Sequence, residues 1–274
     1  MASLLEVDQH FAFGENWQSF AKLLDNKRIE EAEAGMTRLF PNGELDGATF
    51  LDVGCGSGLS SLAATRLGVA RIDAVDLDPN SVAATTEMLS TYAKDIPWTA
   101  RIKSVFDLNP AEQNQYDIVY SWGVLHHTGD MWRAVKYAAL MVKPGGYFAI
   151  ALYRKTPSCD FWTREKQFYS RAPRLIQTLL RTVYMTAFLA RTLRHGESPI
   201  AHIRNYHSAR GMSWFHDVHD WLGGYPYESA SAESVRAFLE KLGFKIVREF
   251  VGEVGNGIWG SGCDEYVAVR DEIA

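Results

Sequence analysis

Three groups of residues have types and spacings that could do chemistry. The first is Asp52-Val53-Gly54-Cys55-Gly56-Ser57-Gly58, with glycines at alternate positions behind an acidic residue. An apolar, β-type run (Thr49-Phe50-Leu51) leads into it, and a helix-forming run from Leu59 to Ala64 leads out. Strand, glycine turn and helix in that order make a pocket at a strand's carboxyl end. Bare backbone can approach a nucleotide-like ligand there, and the helix offers unpaired N–H groups. The second group is Asp76, which closes the strand-like run Arg71–Val75 and stands where a carboxylate can accept hydrogen bonds from a ribose diol. The third is four histidines, His126, His127, His216 and His219. Imidazole can take up or release a proton near neutral pH, so these are the candidate catalytic residues. His216 and His219 lie three apart with Asp217 and Asp220 beside them, but no third ligand has a recognised spacing and no metal site is expected.

The elements that must position these residues alternate regularly. Strands are predicted at 49–53, 71–75, 100–105, 116–121 and 147–153, with helices between them and a Lys143-Pro144-Gly145-Gly146 turn before the fifth. Asp78 or Asn80 caps the helix that runs to Tyr92. Such βαβ units give an α/β fold with a mainly parallel sheet, helices on both faces and right-handed crossovers. A helix at 231–241 and strands at 244–250 and 265–270 complete it, the last pair antiparallel. Four regions follow: a helical lead-in (1–48) whose Phe11, Phe13 and Trp17 could form a lid, a core (49–153), an inserted cap (154–230) and the end of the core (231–274).

Composition narrows the functional classes. The chain has 274 residues, 47% of them hydrophobic, enough for a full core. Its net charge of −5 argues against general nucleic-acid binding. Between Arg154 and Arg210 there are eleven Lys or Arg against three acids, a net of +8, which leaves −13 for the rest. The most regular part of this basic insert, 166–193, has apolar residues at helical spacing (Leu175, Ile176, Leu179, Leu180, Val183, Ala187, Phe188) with arginines among them. Such a helix either packs on its own domain or lies on a membrane surface. An aromatic stretch follows, and Trp214, Trp221, Tyr225 and Tyr227 are the expected wall of a substrate pocket. No apolar run is long enough to span a membrane, and Cys55, Cys159 and Cys263 have no metal-like spacing, so a reduced, cytoplasmic setting is expected.

A dinucleotide dehydrogenase spaces its glycines G-x-G-x-x-G, whereas this chain has G-x-G-x-G. That spacing weighs against an NAD(P)-dependent oxidoreductase, the competing enzyme class. Leu51–Gly58 is similar to the first motif of class I S-adenosylmethionine-dependent methyltransferases. Val75-Asp76-Leu77-Asp78-Pro79 resembles their second, and Asp107 matches the acid that faces the adenine amine. Tyr116–Val119 with Leu125-His126-His127, then Leu140–Gly146, resemble the fourth strand and the turn before the fifth. The likeness covers 49–152 and returns at 231–270; loosely, it extends to quinone-biosynthesis-like members. It implies a Rossmann-like, seven-stranded, mostly parallel sheet with an antiparallel last strand and a helical insertion after strand 5. It implies S-adenosylmethionine as cofactor, lined by Asp52, Gly54, Cys55, Gly56, Gly58, Asp76, Leu77, Phe106, Asp107 and Trp122. The acceptor is then a small molecule, anionic to suit the basic cap or lipid-soluble to suit its amphipathic helix. Methylation of oxygen or nitrogen is expected first. Peripheral membrane contact and a homodimer are both compatible with that helix.

Overall fold

The structure, a computed structural model, describes residues 26–108, 115–196, 198–210, 214–253 and 262–272. The proposed lid aromatics Phe11, Phe13 and Trp17 lie outside the described residues. A first helix, α1 (Asn26–Leu39), buries Ile29, Met36 and Leu39. The core then alternates β1 (Thr49–Val53), α2 (Leu59–Arg66), β2 (Arg71–Asp76), α3 (Pro79–Tyr92), β3 (Trp98–Ile102), β4 (Tyr116–Trp122), α4 (Met131–Leu140) and β5 (Val142–Tyr153). The cap comprises α5 (Cys159–Arg171), α6 (Arg174–Arg194), α7 (Pro199–Arg210) and α8 (Trp214–Gly223). The chain ends with α9 (Ala232–Lys241), β6 (Phe244–Phe250) and β7 (Cys263–Arg270).

The seven strands are ordered β3-β2-β1-β4-β5-β7-β6, and β7 alone runs against its neighbours. β1 pairs with β2 on one side and β4 on the other. The strand order therefore reverses between β1 and β4, and the loops leaving their carboxyl ends diverge to open a crevice there. Both faces of the sheet are covered. Leu51, Val53, Val119 and Phe148 pack with α4 and α9, while Phe50, Ile72 and Ile118 pack with α1, α2 and α3.

Three predicted boundaries move, each for a local reason. The third strand ends at Ile102 because Ser104 Oγ accepts from Phe106 N at 3.2 Å and starts a 3-10 turn at Val105–Asp107. The predicted turn at 143–146 is taken into β5, where the register with β4 slips between Tyr116 and Ile118. The regular stretch 166–193 is two helices, not one. Pro173 has no N–H to donate and forces Ala172 into extended backbone (ψ 145°). The cap has its own core, built on Trp162, Tyr169, Trp214, Val218, Leu222 and Tyr227, against which Leu180, Tyr184 and Phe188 of α6 pack. The other face of α6 is exposed.

Candidate functional site

The glycine loop is pinned from two sides. Gly54 N and Cys55 N both donate to Val75 O (2.8 and 3.2 Å), and Thr85 Oγ1 of α3 donates to Gly56 O at 3.2 Å. Gly54 has φ +80°, and a Cβ there would stand 2.4 Å from Val124 Cγ2, in the turn after β4. Gly58, also at φ +80°, would place one 2.9 Å from the Cα of Thr85. The loop thus touches both walls of the crevice through bare backbone. Gly58→Ala combines left-handed strain of about 1–2 kcal/mol with crowding against backbone of about 1–3 kcal/mol. We expect it to destabilise the fold by about 2–5 kcal/mol in urea denaturation; a midpoint within error of the parent would show that the approach is not tight.

Asp76 holds this loop and the next one together. Its Oδ2 accepts from Gly56 N at 3.0 Å and its Oδ1 from Asp78 N at 2.9 Å. Each oxygen has further accepting capacity, as a ribose diol requires. Burial, joined by the nearby Asp78, raises its pKa against the opposing pull of those N–H groups. Asp78 caps α3 by accepting from Asn80 N at 2.8 Å. Lys103 N donates to Asp76 O, which brings the Val105–Asp107 turn beside the β2 terminus. Leu77 and Phe106 are half-buried and Asp107 is exposed. Arg133 lies over the Phe106 ring at 4.8 Å. Apolar faces, an exposed carboxylate and a carboxylate with spare lone pairs suit a purine nucleoside moiety.

Asp52 is 2% exposed and accepts from Ser61 Oγ at 2.7 Å, tying β1 to α2. Burial pushes its pKa up to about 7 from 3.8. Between those values the folded chain binds more protons than the unfolded one, so stability falls as pH rises through the window and is level above it. Asp52→Asn removes that fall. The variant should match the parent near pH 4 and exceed it by on the order of 2–4 kcal/mol at pH 8. Parallel pH–stability curves would show that Asp52 is ionised in the fold.

After β4 comes a 3-10 turn, Leu125–His127. His126 is fully buried, its Nδ1 accepts from Tyr153 N at 3.3 Å, and burial holds its pKa well below the usual range. It is therefore neutral with the proton on Nε2, an atom that has no partner among the described residues. His127 has the opposite tautomer. Its Nδ1 lies 2.7 Å from Pro226 O, which can only accept, so Nδ1 bears the proton and Nε2 the basic lone pair. Tyr153, at the end of β5, packs on His126 (3.9 Å) and lies 5.5 Å from Trp221 and 5.2 Å from Tyr227.

The structure thus brings His126, His127, Trp221 and Tyr227 to the carboxyl ends of β4 and β5. Trp214 is buried deeper in the cap against Phe188, and Tyr225 is half-buried beside Pro226. His219 pairs with Tyr169 OH at 2.8 Å; His216 lies on α8, with its side chain outside the described residues. Among the described residues no group of three could hold a metal ion. Trp122 is 39% exposed and its Nε1 donates to Glu265 Oε1 at 3.4 Å.

Two residues here escaped sequence reasoning. Lys166 is fully buried, donates to Trp221 O in the last turn of α8, and lies 3.5 Å from the Trp221 ring and 5.2 Å from that of Tyr227. Burial pushes its pKa down, and that of the adjacent Glu165 up. A signal existed: Trp162, Lys166 and Tyr169 share one helical face, so the lysine interrupts an aromatic stripe. Arg154 pairs with Asp264 (Nε–Oδ1 2.7 Å) and donates to Glu253 O at 2.8 Å, fixing both ends of the glycine-rich 252–262 segment. Residues 254–261 of that predicted closing loop lie outside the described residues.

Residues 51–150 match the family described as "Methyltransferase domain". A ubiquinone biosynthesis O-methyltransferase of Xanthomonas euvesicatoria pv. vesicatoria (strain 85-10) is 32% identical over 159 residues, 56% of this chain and 62% of that protein. One from Xanthomonas campestris pv. campestris (strain B100) is 35% identical over 114 residues, 42% and 46% of the two chains. The chain thus spans less than two thirds of the length of these curated relatives. The fold resembles that of a magnesium protoporphyrin IX methyltransferase from Synechocystis PCC 6803 (TM-score 0.52, 15% identity, 89% and 84% of the two chains). It also resembles an O-methyltransferase family protein from Burkholderia thailandensis (TM-score 0.52, 14% identity, 89% and 57%).

Proposed function

We propose that residues 51–150, which match a methyltransferase domain, are a class I S-adenosylmethionine-dependent one, and that the protein methylates a small-molecule acceptor, at oxygen first and nitrogen second. One observation carries the reading. Asp76 binds Gly56 N, and its own carbonyl takes Lys103 N, so glycine loop, diol-accepting carboxylate and the Phe106-Asp107 turn form one continuous lining. Gly54, Gly56 and Gly58 would lie along the methionine and ribose portion, Asp76 would take the diol, and Leu77, Phe106 and Asp107 the adenine. Bound S-adenosylmethionine would supply the activated methyl group. The chain's own part is to hold the acceptor in line, exclude water and move a proton.

Val124 lies against Gly54, so the three residues after it would stand beside the methyl-bearing end of a bound cofactor. His127, with the basic Nε2 its tautomer requires, is the candidate base. His126 Nε2–H and Trp221 Nε1–H are buried donors without partners among the described residues and would recognise an acceptor oxygen. The names of the relatives support an oxygen acceptor on a quinone-like ring. A second reading, a lipid-soluble acceptor taken from a membrane surface, is favoured by the exposed apolar face of α6. A reduced, cytoplasmic setting fits cysteines that form no disulfide among the described residues, and no described helix is long and apolar enough to cross a membrane.

Calorimetric titration with S-adenosylmethionine, its demethylated product and NAD tests the cofactor. Binding of the first two and not the third is expected; NAD binding with no response to the others would refute the reading. Mass spectrometry of acceptor pools for the gain of one methylene then identifies the substrate.

A further inference from the structure

We propose that α6 lies flat on an anionic lipid surface, its outer face inserted among the acyl chains and the cap's arginines among the headgroups. This deepens the second reading above. It rests on that reading only in making the membrane the source of the acceptor.

At 100° per residue, Leu175, Leu179, Val183, Ala190 and Leu193 fall within one sector about 80° wide. The apolar side chains of that sector are bare: Leu175 is 84% exposed, Leu179 58%, Val183 58% and Leu193 63%. From Leu175 to Leu193 the stripe runs about 27 Å. On the opposite face Leu180, Tyr184 and Phe188 pack into the cap core, so the helix is fixed with its apolar stripe outward. α5, joined to it through Ala172-Pro173, leaves Phe161 and Phe168 exposed as well. An apolar strip of this extent is unusual on a surface meant only for water.

Charge selects the occupant. α6 has four arginines and no acid: Arg174 in its first turn, Arg181 at its middle, Arg191 and Arg194 in its last. Arg164 and Arg171 of α5 and Arg204 of α7 are exposed too, against one exposed acid, Asp160, among the described residues of 154–210. A second copy packed on this stripe would bring together two basic caps, each with a net charge of +8 over 154–210. Anionic headgroups complement the pattern, and long arginine stems let their guanidinium groups reach phosphates while the stripe is immersed. At 21 residues the helix is long enough to span a bilayer, but four arginines make it an interfacial helix rather than a spanning one.

The test is flotation of the full chain with vesicles of phosphatidylglycerol and phosphatidylcholine, or of phosphatidylcholine alone. The parent should float with the first and stay down with the second, and high salt should weaken the association. Leu179→Glu/Val183→Glu should reduce flotation at least tenfold, and Arg174→Gln/Arg191→Gln/Arg194→Gln should remove the preference for anionic lipid. Unchanged circular dichroism and S-adenosylmethionine affinity in both variants would show that the fold and the cofactor site are intact. Equal flotation with both vesicle types, or none, would overturn the proposal. So would a dimer in light scattering that Leu179→Glu dissociates, since a second copy would then cover the stripe. Cofactor titration of the same protein judges the methyltransferase reading separately, so failure of one does not entail failure of the other.

Discussion

Replacing His127 by Asn is expected to lower kcat by about 100-fold or more while leaving the affinity for S-adenosylmethionine within about twofold. Asparagine retains an N–H at the position of Nδ1, so the bond to the Pro226 carbonyl (2.7 Å) and the seat of the following turn survive. What is lost is the basic nitrogen at Nε2. The same substitution at His126 tests the contrast. Its Nδ1 accepts from Tyr153 N and its Nε2 bears the proton, so it is a donor and not a base. His126→Asn should therefore act mainly on KM for the acceptor, through the lost Nε2–H. A kcat within about threefold of the parent in His127→Asn would remove His127 from the proton-transfer step. Full loss of folding in circular dichroism would instead assign it to the scaffold, with Gly224 packed beneath its ring.

Asp76→Ala is expected to weaken S-adenosylmethionine binding by about 10- to 100-fold, or about 1.4–2.8 kcal/mol. The carboxylate has two tasks here. It would accept from the ribose diol, and it already accepts from Gly56 N and Asp78 N, so its loss frees the glycine loop from β2 as well. Asp76→Asn separates the two, because the amide oxygen can still take one backbone N–H while half of the diol-accepting capacity is gone. Its affinity should fall between those of the parent and the alanine variant. Calorimetry showing unchanged affinity in Asp76→Ala would mean that the pocket is misassigned.

The cap links these two ends of the site. Lys166 donates to Trp221 O in the last turn of α8, where a cation is favoured by the helix's negative end. It thereby holds the Trp221 ring beside Tyr153 and the His126 turn. α5 and α8 are thus joined by the Lys166–Trp221 bond and by the Tyr169–His219 bond. The proposed acceptor-facing wall is set by polar contacts inside the cap rather than by the sheet.

The sequence by itself determined the features whose causes are local. Alternate glycines behind β1, Asp76 at the end of the second strand, the Asp78 cap and the alternation of strand with helix follow from sterics and periodicity over a few residues. They led to the parallel core, the antiparallel last strand and the nucleotide-type pocket. The tertiary structure decided what depends on partners far along the chain. It buried Asp52 against Ser61, so that the acid expected at the ligand also ties β1 to α2. The two adjacent histidines received opposite tautomers from Tyr153 and from Pro226, 27 and 99 residues away. The structure also placed Lys166 in an aromatic cage and turned half of the α6 stripe outward. Solvation and protonation are set by everything packed around a group, and topology, not local sequence, chooses those neighbours.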